Sequence, residues 1–330
     1  MQIKREKDMA KRKNIITEYR NYYLPPHFPV IALSGDYWKI SDRPSGHLHF
    51  HNCLEIGICH SDSGCLEFYG EPAPFKEGDI TVIPRNVPHT TYSSPGLASH
   101  WSYIYLDPRE LFRHLLPADW KNYDLLSYGL PNYKYIFAKE EHPFLYQMAD
   151  YALKELTLQS PGYQISSRGL LLSLYIALYR IQNPAEGTPA PEDKSMGTLS
   201  STTPIVLSPA LDYVENNYMQ QFSVDFLADL CHLSPTHFRR LFHNIMGTSP
   251  LDFINNTRIQ KSCILLYSTE ESILNISGMV GFQSVSSYNR CFVRTMQTTP
   301  RDYRKAILQS DKNIQNQSIL EYSGWMYPEQ

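Results

Sequence analysis

The chain has 330 residues and a mass of 38.2 kDa, a length that favours two domains over one. Its formal net charge of −3 and pI of about 6.5 give no strong whole-chain field toward nucleic acid or a membrane surface. Hydrophobic residues make up 42% and charged residues 19%, a composition typical of folded rather than disordered proteins. No apolar run is long enough for a transmembrane helix, so the sequence predicts no membrane-spanning segment.

The N-terminal segment is basic and the cysteines are scattered, and both observations bear on where the chain works. Residues 1–20 are predicted to form a flexible basic arm, because no apolar stretch of secretory-signal length follows the lysines and arginines. The six cysteines form no CxxC pair, and without an export signal a disulfide framework is not expected. We therefore predict reduced thiols and a cytoplasmic location.

Residues 21–140 show the pattern of a small β-domain. Short apolar or alternating segments, separated by Gly, Pro, Ser and Asn, are typical of an all-β sandwich or barrel. The predicted strands are 50–59, 65–69, 79–83 and 100–106.

Helical periodicity replaces the strand pattern after residue 141. Apolar residues recur at three- and four-residue steps over 141–182, with a break near residue 161, so this segment is predicted to be a helical hairpin. Its wide apolar face leaves open whether it is buried in its own domain or also serves dimerisation. Residues 183–208, rich in Pro and small polar residues, are predicted to be a linker, and residues 307–330 a polar tail.

Residues 209–306 contain a pattern of consecutive helices that occurs twice. Phe242 and Pro250 recur as Phe292 and Pro300, 50 residues later, and several other apolar and Arg positions agree at the same offset. Each copy has the order helix, short turn, helix, which is the helix-turn-helix motif. We interpret the agreement as an internal duplication.

The second helix of each copy is the one that a helix-turn-helix protein places in the major groove of DNA. These recognition helices are predicted at 235–246 and 285–296, and a helix from about 250 to 266 joins the copies. At 1.5 Å per residue the joining helix spans about 25 Å. This length is of the order of the roughly 34 Å between successive major-groove faces.

Two stretches of this domain resemble the AraC/XylS family of transcriptional regulators. Residues 223–242 resemble the first helix-turn-helix of that family, and GTSP at 247–250 matches the motif that opens its connecting helix. Residues 272–304 resemble its C-terminal signature, although Gln297 stands where the family usually has Gly. The resemblance implies a sequence-specific regulator whose partner is double-stranded DNA.

The DNA-contacting residues are predicted from the outward positions of the two recognition helices. Arg can form paired bonds to guanine, Asn to adenine, and Ser or Thr to bases or phosphates. For each residue, base readout and a phosphate contact or solvated position remain open, and the equivalence of Arg240 and Arg290 favours a shared positioning role. The predicted set is Ser234, Thr236, His237, Arg239, Arg240, Ser286, Ser287, Asn289, Arg290 and Arg294.

The β-domain carries a second cluster of candidate residues. His47, His49, His51 and Glu55 alternate along one predicted strand and should therefore face the same side. His-x-His, then Glu, then a distant His89 after a strand and turn, resembles the two cupin motifs. Since the sensor domains of AraC-type regulators are cupin-like barrels, the two halves of the chain agree.

The cupin resemblance leaves three interpretations of this cluster. His49, His51, Glu55 and His89 suit a divalent metal such as Zn, Fe, Mn or Ni, but sensory cupins often use the same groups in metal-free ligand pockets, and a purely structural cluster is the third interpretation. We favour the metal-free effector pocket. Nearby aromatic rings suit stacking on a sugar, and carbohydrate is the family-level expectation. The predicted pocket residues are His47, His49, His51, Glu55, His89, Trp38 and Trp101.

The sequence supports two hypotheses from different classes of protein. In the first, an α+β chain combines a cupin-like β-barrel and helical hairpin with an all-α domain of two helix-turn-helix motifs. It binds a small effector, forms a homodimer and regulates transcription, and the family implies an activator that contacts RNA polymerase, although the residues do not fix the direction of regulation. The alternative is a metal-dependent cupin enzyme with an accessory helical domain. The duplicated helix-turn-helix has no place in such an enzyme, so no enzymatic activity is expected.

Overall fold

The structure of the protein, a computed structural model, describes residues 16–68, 71–116, 133–183 and 206–310. Residues 1–15 of the predicted arm, 184–205 of the predicted linker and 311–330 of the predicted tail lie outside the described residues. A β-rich part with a pair of helices precedes an all-helical part along the chain, which is the mixed architecture that the sequence predicts.

Short strands build the β-rich part. Within the described residues they are β1 (Ile16–Arg20), β2 (Val30–Leu33), β3 (Lys39–Ile40), β4 (His47–His51), β5 (Leu54–Cys59), β6 (Ser63–Phe68), β7 (Glu71–Lys76), β8 (Ile80–Ile83), β9 (Thr90–Ser93), β10 (Ser99–Leu106) and β11 (Ile136–Phe137). One sheet has the order β11-β8-β5-β10-β2, with β3 also paired to β10. A second has the order β7-β6-β9, and β1 pairs in parallel with β4. Pro72 and Pro74 are tolerated in β7 because it is an edge strand.

Successive side chains of β5 point alternately to the two faces of the larger sheet, one covered by helices and the other facing the barrel interior. The helices of this part are α1 (Pro108–Leu111), α2 (Pro143–Leu158) and α3 (Tyr163–Gln182). Leu54 and Ile56 are buried in the apolar cluster that α2 and α3 complete. Glu55, between them, points to the opposite face and into the barrel, where it meets His51 and His89.

The prediction of a flexible arm over residues 1–20 is wrong for its last five residues. Residues 16–20 form β1, which pairs along its whole length with β4. Tyr19 packs on Phe50 of β4 with ring centroids 5.2 Å apart, and Phe50 is fully buried. The packing of these rings offsets the entropy lost when the segment becomes ordered. The basic residues before the segment had indicated a flexible arm instead.

The prediction of one strand over residues 50–59 is also wrong, because the chain turns between β4 and β5. Asn52 anchors this turn: its Oδ1 accepts a hydrogen bond from Tyr22 N at 2.8 Å, and its Nδ2 donates one to Tyr22 O at 3.0 Å. Glu55 therefore belongs to β5 and the histidines before it to β4. His49 and His51 nevertheless lie in the same cluster as Glu55.

Seven helices of the described residues build the C-terminal part. They are α4 (Ser208–Asn217), α5 (Val224–Leu230), α6 (Pro235–Met246), α7 (Pro250–Ser268), α8 (Ile273–Met279), α9 (Val285–Met296) and α10 (Pro300–Ser310). The bounds of α6 and α9 are those predicted for the recognition helices. The joining helix α7 has 19 residues, about 28 Å, and α10 extends four residues into the predicted tail. No helix among the described residues combines the length and apolarity needed to cross a membrane.

Hydroxyl groups at equivalent positions of the two copies define where the helices begin. Each accepts a hydrogen bond from the backbone N–H three residues later, an interaction that stabilises a helix start by about 1 kcal/mol. Ser208 does not act as such a cap for α4, because the helix already includes Ser208 and Leu207 occupies the cap position. The equivalent caps are Ser223 and Ser272, Ser234 and Ser284, and Ser249 and Thr299.

The two recognition helices end in the same left-handed backbone conformation with different residues. Gly247 closes α6 at φ 66°, and Gln297 closes α9 at φ 55°. Glycine adopts this conformation without a steric cost, whereas a residue with a side chain loses about 1 kcal/mol. The departure from the family pattern at Gln297 is therefore a local strain and not a change of fold.

The β-rich and helical parts contact each other through aromatic and charged groups. Phe50 belongs to the apolar cluster of the first helix-turn-helix copy. Lys261 Nζ of α7 lies 3.7 Å from a carboxylate oxygen of Asp107, 3.6 Å from Glu110 and 3.6 Å from Glu215 of α4. The ion cluster ties the helix that joins the two copies to the end of β10.

Candidate functional site

The recognition helices α6 and α9 present the predicted DNA-contacting side chains to solvent. Each buries two aromatic rings on one face, and these are Phe238 and Phe242 in α6 and Tyr288 and Phe292 in α9. The predicted contact residues on the other face are exposed, apart from the half-buried Ser287. Both copies therefore offer arginine, amide or hydroxyl groups beside a fixed aromatic core.

Two of these arginines are paired with carboxylates of neighbouring helices. Arg239 donates from Nη2 to Asp225 Oδ1 at 2.7 Å, and Arg294 donates from Nη2 to Asp252 Oδ1 at 2.8 Å. The four side chains are 42 to 60% exposed, so each pair contributes at most about 1 kcal/mol. A DNA phosphate can displace such a carboxylate. Sequence reasoning missed both acids, because each pair joins separate helices that only the folded arrangement brings together.

The predicted histidine cluster comes together inside the barrel. His51 Nε2 lies 3.2 Å from Glu55 Oε2, and His89 Nε2 lies 3.8 Å from Glu55 Oε1. His49 and His89 exchange backbone hydrogen bonds of 2.9 and 2.8 Å, and their ring centroids are 4.2 Å apart. His51, Glu55 and His89 are each at most 3% exposed. The distant His89 thus joins the β4 histidines as the cupin spacing predicts.

The remaining predicted pocket residues lie on other parts of the barrel wall. Trp38 and Trp101 are buried in an apolar cluster with the tyrosines of β10. Trp101 stacks on Tyr103 at 5.8 Å, and its indole N–H donates to Ser99 Oγ at 2.9 Å. His47 is half-buried at the start of β4 and pairs in register with β1. Trp38, Trp101 and His47 thus lie apart from the cluster of His49, His51, Glu55 and His89, which forms the polar centre of the barrel.

Burial sets the charge states of the cluster. It lowers the pKa of His49 well below its usual value and that of His89 to about 4, so both imidazoles are neutral at pH 7. Burial alone would raise the pKa of Glu55, but the hydrogen bond from His51 and the nearby His89 lower it, and the carboxylate is ionised. A buried carboxylate among neutral imidazoles favours a cation or a hydrogen-bond donor as its partner.

The donor set fits a divalent metal through three of the four predicted residues. His49, Glu55 and His89 can bring one ligand atom each within 4.8 Å of one another. Neutral imidazole and carboxylate are ligands of Zn, Fe, Mn and Ni. The fourth predicted ligand, His51, has Nδ1 2.9 Å from Cys53 O and Nε2 facing Glu55, an arrangement that orients the carboxylate.

The loop that carries His89 also contacts the helical part. Asn86 donates from its backbone N to His51 O at 2.9 Å and from Nδ2 to Asp212 Oδ1 of α4 at 3.3 Å. Arg85 Nη2 lies 3.7 Å from the same oxygen of Asp212. A contiguous set of polar contacts therefore joins the histidine cluster to the first helix of the helix-turn-helix part. Sequence reasoning missed Arg85 and Asn86, because their partner lies 126 residues away from Asn86.

Known protein families match both parts of the chain. A family model described as an AraC-like ligand binding domain matches residues 39–175, and one described as a helix-turn-helix domain matches residues 227–306. The chain belongs to the AraC-type transcriptional regulators. As an AraC-type regulator it is a DNA-binding protein with a ligand-binding domain, and the predicted lack of enzymatic activity is confirmed. The alternative of a metal-dependent cupin enzyme is not supported.

Proteins similar to this AraC-type regulator are themselves named as HTH-type transcriptional regulators. An uncharacterized HTH-type transcriptional regulator of Haemophilus influenzae is 26% identical over 289 residues, 82% of this chain and 91% of that protein. MtrA of Neisseria gonorrhoeae, an HTH-type transcriptional regulator, is 24% identical over 84% of this chain and 92% of its own. The DNA-binding domain of AdpA, solved with a target DNA, is 25% identical over 33% of this chain and 97% of its own, at a TM-score of 0.31.

Proposed function

We propose that this AraC-type regulator binds a specific operator through both recognition helices, and that a small effector in the barrel controls this binding. The observation that carries the proposal is the pair of 12-residue helices α6 and α9, each with a buried aromatic face and an exposed face of Arg and hydrogen-bonding residues. Such faces suit major-groove edges and phosphates. The length of α7, about 28 Å, is of the order that separates successive grooves on one side of a duplex.

Operator binding is tested on a DNA duplex that the full-length chain has selected from a pool of random sequences. Replacing Arg239 and Arg290 together by Ala should weaken binding about a hundredfold at fixed salt, since each arginine contact contributes about 1–3 kcal/mol. Lys305→Ala is the charge control, because Lys305 is exposed on α10. Unchanged affinity of the double variant in a gel-shift titration would contradict the assignment of the recognition helices.

For the effector we propose a small hydroxyl-bearing molecule, with a carbohydrate as the first candidate. The ionised Glu55 accepts hydrogen bonds, and the neutral imidazoles of His49 and His89 can each donate or accept one. A panel of sugars and sugar acids should raise the melting temperature of the full-length chain, because a ligand at a hundred times its Kd stabilises by about 2.7 kcal/mol. The shift should disappear in Glu55→Gln and persist in His60→Ala, a histidine whose Nε2 pairs instead with Ser102. A shift that survives Glu55→Gln would place the effector elsewhere.

We propose that the cluster works without a resident metal. Glu55 already has the imidazole nitrogens of His51 and His89 within 3.2 and 3.8 Å of its carboxylate oxygens, so a polar ligand can use the same groups. Metal analysis of the purified chain tests this proposal. A stoichiometric divalent metal that is lost in His49→Ala would contradict it and would favour the three-ligand centre of His49, Glu55 and His89.

We propose that two copies pair through α2. Phe144, Tyr151 and Leu158 are 61, 60 and 75% exposed and follow one another at seven-residue spacing, which returns to the same face of a helix. An apolar stripe of this kind suits an identical stripe on a second helix. Light scattering should give a dimer for the wild type, a monomer for Tyr151→Glu, and a dimer for Ile165→Glu, which alters an even more exposed apolar residue on α3. A monomeric wild type would contradict the proposal.

We infer a cytoplasmic activator that acts together with RNA polymerase, as the family resemblance implies. The support is the combination of a ligand-binding domain with a helix-turn-helix domain in one chain. Transcription in vitro from a promoter with the selected duplex upstream should rise when the chain is added. Less transcript would indicate a repressor.

A further inference from the structure

A cleft of about 500 Å³ lies between the two helix-turn-helix copies. Its walls come from the α4–α5 turn with Gln221, from α7 with Arg258, from the α8–α9 turn with Gln283, and from α9 with Arg290 and Arg294. Among the described residues that line it, three are arginines and none is acidic. A cleft of this size falls within the range of ligand pockets, about 300–1,000 Å³, and its charge selects an anion.

Arg258 is a fixed positive charge in this cleft. Its Nε donates to Tyr218 O at 2.7 Å and its Nη2 to Gln220 O at 2.8 Å, and the residue is only 8% exposed. In the part of the chain that the structure describes, no carboxylate forms an ion pair with this guanidinium. A buried cation without a counter-charge is costly, and an anion bound beside it offsets that cost.

Amide side chains hold the two copies at a set distance across the cleft. Gln283 Nε2 donates to Gln221 Oε1 at 3.3 Å, and Gln221 Nε2 donates to Gly281 O at 2.8 Å. Arg290 and Arg294 lie one turn apart on the flank of α9 that lines the cleft, and both are exposed. The guanidinium of Arg290 is accessible to a charged partner at the opening, that of Arg294 is held by its ion pair with Asp252, and Arg258 lies deeper.

We propose that this cleft binds a backbone phosphate of duplex DNA, at the point where the strand passes from the groove read by α6 to the groove read by α9. The proposal rests on the proposed function, since two recognition helices in successive grooves are separated by sugar-phosphate backbone. Guanidinium groups match phosphate oxygens in charge and geometry. Arg290 is therefore a residue that positions α9 on any sequence, and the base-reading residues are those on the other flank of the helix, such as Asn289.

The test is a salt titration of DNA binding by the full-length chain and Arg290→Ala. Two duplexes are used, the one selected from random DNA and a scrambled version of the same length and composition. Loss of one phosphate contact should reduce the slope of log affinity against log salt by about 0.9, which is about an eightfold loss at 0.1 M salt. The loss should be equal on both duplexes, so that their affinity ratio is unchanged. Lys305→Ala, which removes an exposed positive charge outside the cleft, should change the slope much less.

A second variant tests the cleft without removing a guanidinium. Gln283→Glu places a carboxylate at its wall and should weaken both duplexes more than Gln283→Ala does, with the helical content unchanged by circular dichroism. A loss for Arg290→Ala that is confined to the selected duplex would overturn the proposal, because that residue would then read bases. A loss no larger than that of Lys305→Ala would overturn it as well. Failure of the wild type to prefer the selected duplex would instead contradict the proposed function.

Discussion

Replacing Lys261 by Met should loosen the contact between the β-rich and helical parts of the chain. Burial alone would lower the pKa of Lys261, but the carboxylates of Glu215, Asp107 and Glu110 raise it above its usual range. Its Nζ lies 3.6 to 3.7 Å from all three. Methionine has a similar length and no charge, so the variant leaves three carboxylates facing one another across an apolar side chain.

The magnitude follows from the geometry. One pair at 3.6 Å is worth about 4.6 kcal/mol at an effective dielectric constant of about 20. The desolvation of Lys261 and the mutual repulsion of the carboxylates offset much of the sum, and breaking a buried pair costs about 3–5 kcal/mol. Because the Lys261 side chain is still 16% exposed, we expect the lower end, about 3 kcal/mol.

Hydrogen-exchange mass spectrometry of the full-length chain measures this loss where it occurs. Peptides from α4 and α7 should exchange roughly a hundredfold faster in Lys261→Met, since each 1.4 kcal/mol is about a factor of ten. Lys154→Met is the matched control, because its exposed pair with Asp150 is worth only about 0.5 kcal/mol. Adding Glu215→Gln to Lys261→Met should restore part of the protection. Exchange in α4 and α7 that stays close to the wild-type rate would refute the reasoning.

Three further outcomes follow from local features of the chain. Gln297→Gly should raise the thermal stability of the helical part by about 1 kcal/mol, because glycine adopts the left-handed conformation without strain; a lower melting temperature would count against that reading. Asp225→Asn should release Arg239 from its ion pair and raise the affinity for scrambled DNA. The rise should be a few-fold larger than for Asp229→Asn, which makes an equal charge change on the same helix. Equal effects of the two variants in a binding titration would disprove that Asp225 competes with DNA for Arg239. Burial raises the pKa of Asp79 to about 6, above roughly 3.9 in the unfolded chain, so the folded state binds this proton more tightly. The stability of the wild type relative to Asp79→Asn should therefore fall by about 2 kcal/mol between about pH 4 and 6, and parallel pH profiles of urea denaturation would contradict this.

The helical part was predictable in detail because its signals are local. Ser234 and Pro235 mark the start of α6 and Gly247 its end, and these residues act through hydrogen bonds and backbone angles within a few positions. The 50-residue offset of the internal repeat then predicts the bounds of α9 from those of α6, even though Gln297 replaces the glycine. The cupin spacing likewise predicted that His89 would meet the histidines of β4, since the motif encodes that pairing.

The long-range contacts were not predictable, because their partners are far apart in sequence. The turn between β4 and β5 depends on Asn52 bonding to the backbone of Tyr22, 30 residues earlier. The cluster around Lys261 brings together α7, α4 and the end of β10, and no periodicity in any one segment signals it. Burial of Tyr19 against Phe50 ordered a segment whose neighbouring charges indicated a free arm.

The central claim is that one chain places α6 and α9 in two successive major grooves of its operator. Hydroxyl-radical footprinting of the full-length chain on the selected duplex tests this claim. The account predicts two protected tracts for each chain, separated by about one helical turn, 10–10.5 base pairs. A single protected tract, or two tracts without a fixed spacing, would contradict it.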